Sequence, residues 1–300
     1  KTTLLNQWQD ALGAPVVWVT LDNDANTAQT FWAYPTSLNI SFLSHMLHAH
    51  ILNAQGDNKG SLEAYGKALE VKPDYLPALS ALVSRHMQAG DLDQAARQLE
   101  AMSKVAPAHP QTTYLKAMLA YSQKNFQAAR EAIQQHLKVV PDSPLGQQLA
   151  GAIEFELKSY TTAENYLLSA LPKTPELGLA RRILVATYLR NHQPDKALGV
   201  LKPVLNKIEK NSDMLALAGE VYMQNGDAEK ASSYFAKAAA LDPENRNKQT
   251  SVALSHLAKG DTDTAVAELE KIASADSGVR ADIALIASQL RARKFDQALK

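Results

Sequence analysis

The sequence predicts an all-α solenoid, a row of helix-turn-helix units stacked side by side, on three observations. The first is a ladder of prolines at Pro73, Pro107, Pro141, Pro175 and Pro243, separated by 34, 34, 34 and 68 residues. The second is a ladder of small residues at Ser61, Ala95, Ala129, Ala163, Ala197, Ala231 and Ala265, again 34 apart, with Ala298 following at 33. Two ladders in one register mark a repeated supersecondary unit. The third is the pattern inside a period. In "LALAGEVYMQNGDAEKASSYFAKAAALDPEN", Leu215, Ala218, Gly219 and Tyr222 recur at helical spacing, and Asn225-Gly226-Asp227 supplies a turn. Ala231, Phe235 and Ala238 then line one face of a second helix, which Asp242-Pro243 stops because proline cannot continue it.

Each helix pair is too small to bury its own apolar stripe, so stacking on neighbours must close the core. A second set of small residues fits that need: Ala49, Val83, Ala117, Gly151, Val185, Gly219, Ala253 and Ala287 stand where the first helix of a unit meets its partner. Units run from about residue 42 to 300, seven full and a truncated eighth. In the fifth, Pro194 falls at the first position of the second helix, where its missing N–H costs nothing, and Pro203 falls inside it, where a kink is expected. The last stops part way through its second helix at "FDQALK", which predicts that Ile283, Ile286 and Leu290 lack cover, that further repeats follow in the natural protein, and that this end self-associates or frays.

Composition excludes several functions. The 300 residues carry 31 Lys plus Arg against 31 Asp plus Glu, so no positive field favours nucleic acid. There is no cysteine, hence no disulfide, thiolate metal site or cysteine nucleophile. No apolar stretch approaches the roughly 20 residues that span a bilayer. "HMLHAH" brings His45, His48 and His50 together, but no carboxylate stands nearby, and His45 and His48 occupy positions that are apolar core in other units. They are expected to be partly buried, hydrogen-bonded histidines with no metal. "GDTD" at 260–263 repeats "GDLD" at 90–93 and reads as a turn with a helix cap. No HExxH, GxSxG or CxxC occurs, so no catalytic residue, metal or cofactor is expected.

The period, the small positions and the closing proline resemble the tetratricopeptide repeat (TPR) family over residues 42–300. That resemblance implies a right-handed superhelix whose concave groove binds a protein or peptide. It places the second, fifth, ninth, twelfth and thirteenth residues of each first helix in the groove. In this chain these include Met46 and His50, then Met87 and Gln88, then Tyr114, Met118 and Tyr121. Phe155 and Glu156 follow, then Arg182, Leu189 and Arg190, then Glu220, Met223 and Gln224. Met118 and Leu189 are as well suited to packing between first helices. The Lys/Asn clamp by which TPR co-chaperones grip a C-terminal carboxylate is absent, since fifth and ninth positions read Ser80/Ser84, Tyr114/Met118, Gln148/Ala152 and Arg182/Ala186. A groove mixing apolar residues with Arg182 and Arg190 suits an extended segment with apolar anchors and an acidic group.

Two narrower resemblances concern parts of the chain. "LARRILVATYLRNHQPDKALGVLKPVLNK" and the unit after it are similar to the TPR protein of bacterial PEP-CTERM and exosortase systems (PrsT type), which implies an exported or membrane-anchored scaffold in exopolysaccharide export and protein sorting. Without that resemblance a cytoplasmic location is expected. Residues 1–37, from "KTTLLNQW" through strand-like Val16 to Leu21 and on to Phe31-Trp32-Ala33-Tyr34, resemble the ATPase module of MalT-like and LuxR-family STAND regulators just after the P-loop. The glycines of that loop and a metal-binding aspartate strand are missing, so a non-functional segment capping the array with Trp8, Trp18 and Trp32 is expected. The alternative function is a fragment of such a regulator with a TPR-like sensor.

Overall fold

The computed structural model describes residues 38–175, 178–275 and 279–291, and among them fifteen α-helices and no strand. Paired in chain order they are α1 (Leu38–Ala54) and α2 (Asn58–Val71), α3 (Leu76–Gln88) and α4 (Leu92–Val105), α5 (Pro110–Ser122) and α6 (Phe126–Val139). There follow α7 (Pro144–Glu156) and α8 (Tyr160–Ala170), α9 (Gly178–Arg190) and α10 (Pro194–Leu201), α11 (Ser212–Gln224) and α12 (Ala228–Leu241). The last are α13 (Arg246–Lys259), α14 (Thr262–Ala275) and α15 (Val279–Arg291). The odd-numbered helices are the first helices of successive repeats.

The boundaries follow from local chemistry. Asp57, Asp91, Asn125 and Asp227 each cap a second helix by accepting from a backbone N–H three residues on, at 2.9–3.2 Å. Pro110, Pro144 and Pro194 open helices at the one place where a missing N–H is harmless. Between the helices of a pair the chain reverses through one left-handed residue: Gly56, Gly90, Lys124, Lys158, His192, Gly226 and Gly260, with φ from +55° to +90°. Around Gly90 the Asp91 N–H reaches His86 O at 2.9 Å and the Gly90 N–H reaches Met87 O at 3.1 Å, the paired bonds that close a helix C-terminus.

Both small ladders are buried at the helix crossings. Ser61, Ala95, Ala129, Ala163, Ala197, Ala231 and Ala265 have no exposed surface. Facing them, Gly151 leaves no room for a side chain, because a Cβ there would stand 2.5 Å from Leu167, and at Gly219 one would stand 2.6 Å from the Phe235 ring. Serine is tolerated at position 61 because its hydroxyl donates to Ala49 O at 3.1 Å. Between the ladders, Leu115, Ile133, Ile153, Leu167, Leu184 and Leu215 fill a core that runs along the array. From α3 to α15, successive first helices touch one another, while successive second helices make no comparable contact. First helices therefore line the inner, concave side.

Three expectations need correction. Pro203 does not kink the second helix of the fifth repeat: α10 ends at Leu201 and a 3₁₀ segment runs from Lys202 to Lys207. Pro203 has no N–H to donate to the carbonyl four residues back and its ring crowds that carbonyl, so the α-helix stops short although Lys202 keeps a helical backbone. His48 and His50 are exposed and only His45 is half-buried. Among the described residues no group of three His, Asp or Glu is placed to hold a metal. Ala287, unlike its equivalents, is exposed. Ile283 and Ile286 are exposed too, in line with the expectation that they lack cover. Residues 1–37, with the Lys1 segment and the three tryptophans, lie outside the described residues, and so does the side chain of Leu290.

Candidate binding groove

On the concave side, α5, α7 and α9 enclose a cavity of about 350 Å³. Tyr114, Met118 and Tyr121 come from α5, Gln148, Ala152, Phe155 and Glu156 from α7, and Leu179, Arg182, Ile183 and Ala186 from α9. The floor is open because the ninth positions of α7 and α9 are alanines, Ala152 and Ala186. Each aromatic wall is braced from behind by a ring of a second helix or its turn: Tyr114 on His136 at 5.3 Å, Tyr121 on Phe126 at 5.6 Å, Phe155 on Tyr160 at 5.8 Å between centroids. Such bracing holds the rings in place before any ligand arrives.

A second cavity of about 610 Å³ continues the trough over α11 and α13, lined by Glu220, Met223, Gln224, Asp213 and Lys248. Arg182 and Ala186 belong to both cavities. Its far wall is fixed by Lys248, which is nearly buried between Asp213 at 2.8 Å and Asp242 at 2.7 Å. These carboxylates hold its ammonium pKa above the ordinary lysine value.

The trough is polar in selected places. Burial pushes the Tyr114 hydroxyl up from its usual pKa. Tyr121 is pushed up by burial first and then by the charge of Glu156, while Arg182 pulls the other way. Both tyrosines are therefore neutral donors at physiological pH. The Oε1 of Gln148 is buried in the wall with no hydrogen-bond partner.

Of the residues expected in the groove, Tyr114, Met118, Tyr121, Phe155, Glu156 and Arg182 meet in the first cavity, and Glu220, Met223 and Gln224 join Arg182 in the second. The others do not join them. Met46 is buried, packed with Phe42 and Tyr65, its flexible thioether filling the core of the first repeat. His50 stands edge-on to Tyr65, with Nδ1 3.4 Å from its hydroxyl. Met87 packs on the core beside Val83, and Gln88 accepts from Arg85 at 3.0 Å. Leu189 is buried and packs between helices, the second of its two readings. Arg190 is exposed outside both cavities, eight residues and about 12 Å along the helix from Arg182. Gln148 and Lys248 were missed. Gln148 occupies the same fifth position as Tyr114 and Arg182, which is the signal that finds it.

Stacked helix pairs with an inner trough define a helical-repeat solenoid of the kind that presents one long surface to other molecules. The repeats are tetratricopeptide repeats: models carrying that description match residues 44–75, 80–144 and 188–253. Among curated proteins, the anaphase-promoting complex subunit CDC16 of Saccharomyces cerevisiae is 22% identical over 188 residues, 60% of this chain. The chain spans 22% of the length of that relative. Among solved structures, the anaphase-promoting complex hetero-tetramer Cut9-Hcn1 gives a TM-score of 0.67 at 16% identity, over 82% of this chain and 48% of that one. A tetratricopeptide repeat protein from Parabacteroides merdae gives 0.60 at 14% identity, over 83% of this chain and 99% of that one. At these identities the likeness is one of fold.

Proposed function

We propose that this protein is a non-catalytic scaffold that holds an extended segment of a partner protein along the concave trough from α5 to α11. The observation that carries the reading is the cavity walled by Tyr114, Tyr121 and Phe155, three pre-positioned aromatics around an open floor. Aromatic anchors in such pockets dominate protein interfaces. The fold likeness to subunits of a multi-protein assembly is consistent with that role. The setting in exopolysaccharide export and PEP-CTERM protein sorting belongs to the same proposal and rests on the sequence resemblance of the fifth and sixth repeats.

The test is capture of partners from the native host on the immobilised chain, followed by affinity measurement with the captured protein. Tyr121→Ala is expected to weaken binding by roughly 1–2 kcal/mol with the helical signal intact, whereas Glu131→Ala, on the exposed side of α6, changes nothing. Equal retention by both variants would mean that the partner does not use the trough.

A further inference from the structure

The fifth repeat holds a second cleft that the groove does not account for. Because α10 ends at Leu201 and the chain turns through the 3₁₀ segment, a space of about 850 Å³ opens between α9, that segment and the start of α11. Leu179, Pro203, Val204, Ile208 and Met214 make its apolar wall.

Its charged groups are Arg181, Arg182 and Lys207, with no carboxylate among the described residues that line it. Arg181 donates only to uncharged carbonyls, Val200 O at 3.2 Å and Pro175 O at 3.3 Å. Arg182 and Lys207 are exposed and make no hydrogen bond or ion pair with the described residues. Three cations on one apolar cleft, with no counter-charge among the described residues that line it, repel one another and attract an anion. The groove carboxylates Glu156, Glu220 and Asp213 lie in the neighbouring cavities and pair with none of them, Asp213 being taken by Lys248.

We propose that this cleft is a separate binding site for an acidic peptide segment bearing apolar side chains. Its carboxylates meet Arg181, Arg182 and Lys207, and its apolar side chains lie on Leu179, Val204 and Met214. Three cations ask for more than the single carboxylate of a fatty acid. Glu156 and Glu220 on either side of Arg182, and a net charge of zero, disfavour a polyphosphate backbone. Arg182 also walls the concave cavities, so the cleft opens into the trough and accepts a continuous chain. The proposal does not depend on the aromatic cavity.

The test uses the full chain and a fluorescein-labelled Asp-Leu-Glu-Glu-Leu-Asp peptide, with the same peptide carrying Lys at its acidic positions as control, read by anisotropy. The acidic peptide is expected to bind, more weakly as salt rises from about 50 to 300 mM. The double variant Arg182→Gln/Lys207→Gln should lose about tenfold in affinity with an unchanged helical spectrum. Tyr121→Ala and Lys104→Gln should bind as the unaltered chain does. Loss on Tyr121→Ala instead would place the peptide in the aromatic trough and overturn the assignment. Equal binding of the Lys peptide, undiminished binding by the double variant, binding of laurate where the acidic peptide fails, or no binding at millimolar peptide would each overturn it as well.

Discussion

The third and fifth repeats share one register and differ in where the proline that ends the second helix falls. In the third, α6 runs unbroken from Phe126 to Val139 and the proline comes afterwards, at Pro141. In the fifth the closing position holds Glu209 and the proline has moved six residues inward, to Pro203. The crossings are untouched by this: Ala129 and Ala197 are equally buried, and so are Ala117 and Val185 opposite them. What changes is the far end of the second helix, where a helical turn is lost, the Val200 carbonyl is taken by Arg181, and a cleft opens. The crossing fixes the fold, while the helix end is free to be altered for something else.

The largest effect expected comes from attacking the crossing. Ala129→Leu forces a large side chain against a helix with no room for it and should cost about 1–3 kcal/mol. The same change at Ala197 should cost less, because the eight residues of α10 and the segment behind them can shift. Paired thermal or urea unfolding of the two variants checks the order. Equal losses would mean that the fifth repeat is as rigid as the third, despite its shorter helix.

A smaller effect is expected from restoring the regular helix. Pro203→Ala removes the residue that ends α10 and should raise the helical circular dichroism signal with a gain of about 1 kcal/mol. That is well short of the roughly 3 kcal/mol cost of a proline inside a helix, since the protein has already relaxed around it. The extended helix should narrow the cleft and reduce acidic-peptide binding. If the 3₁₀ segment survives in this variant, the turn is set by the packing of Val204 and Ile208, and Pro203 merely tolerates it.

The parts of this molecule legible in the sequence are those where geometry forces a residue type. Crossings admit only small side chains, so both ladders could be read, and the helices from α3 onward start at the expected interval. Six of the aromatic, charged and sulfur-bearing groove residues meet as expected because position on a first helix fixes the direction of a side chain. Failures came where a neighbour decides. Met46 turned inward onto Phe42 and Tyr65, and His48 stayed exposed. The cleft of the fifth repeat was invisible because Pro203 announces a break but not whether the chain kinks or rewinds, and Arg181 completes the answer from another helix. The left-handed turn residues were half legible: glycine marks four of them, whereas Lys124, Lys158 and His192 carry no turn signal and are found only by counting along the ladder.

Those three residues supply the smallest expected effect and separate the central repeats from their flanks. At Lys124 the backbone has φ of +59°, a region that crowds a Cβ against its own carbonyl, whereas Gly226 adopts +80° at the same place in the sixth repeat without that crowding. Lys124→Gly removes the local strain but frees the unfolded chain, and the two terms oppose each other. The net expected gain is about 0.5 kcal/mol. Lys124→Ala keeps a Cβ and should be close to neutral. Gly226→Ala runs the comparison backwards and should cost about 1 kcal/mol. No neighbouring atom lies within 4 Å of a Cβ built on Gly226, so its loss would measure backbone conformation alone. Thermal unfolding of the three variants tests the set. A destabilising Lys124→Gly would mean that the lysine side chain contributes more than its strained backbone costs, and the repeats carrying the aromatic cavity would then owe their turns to lysine and histidine for a reason other than tolerance.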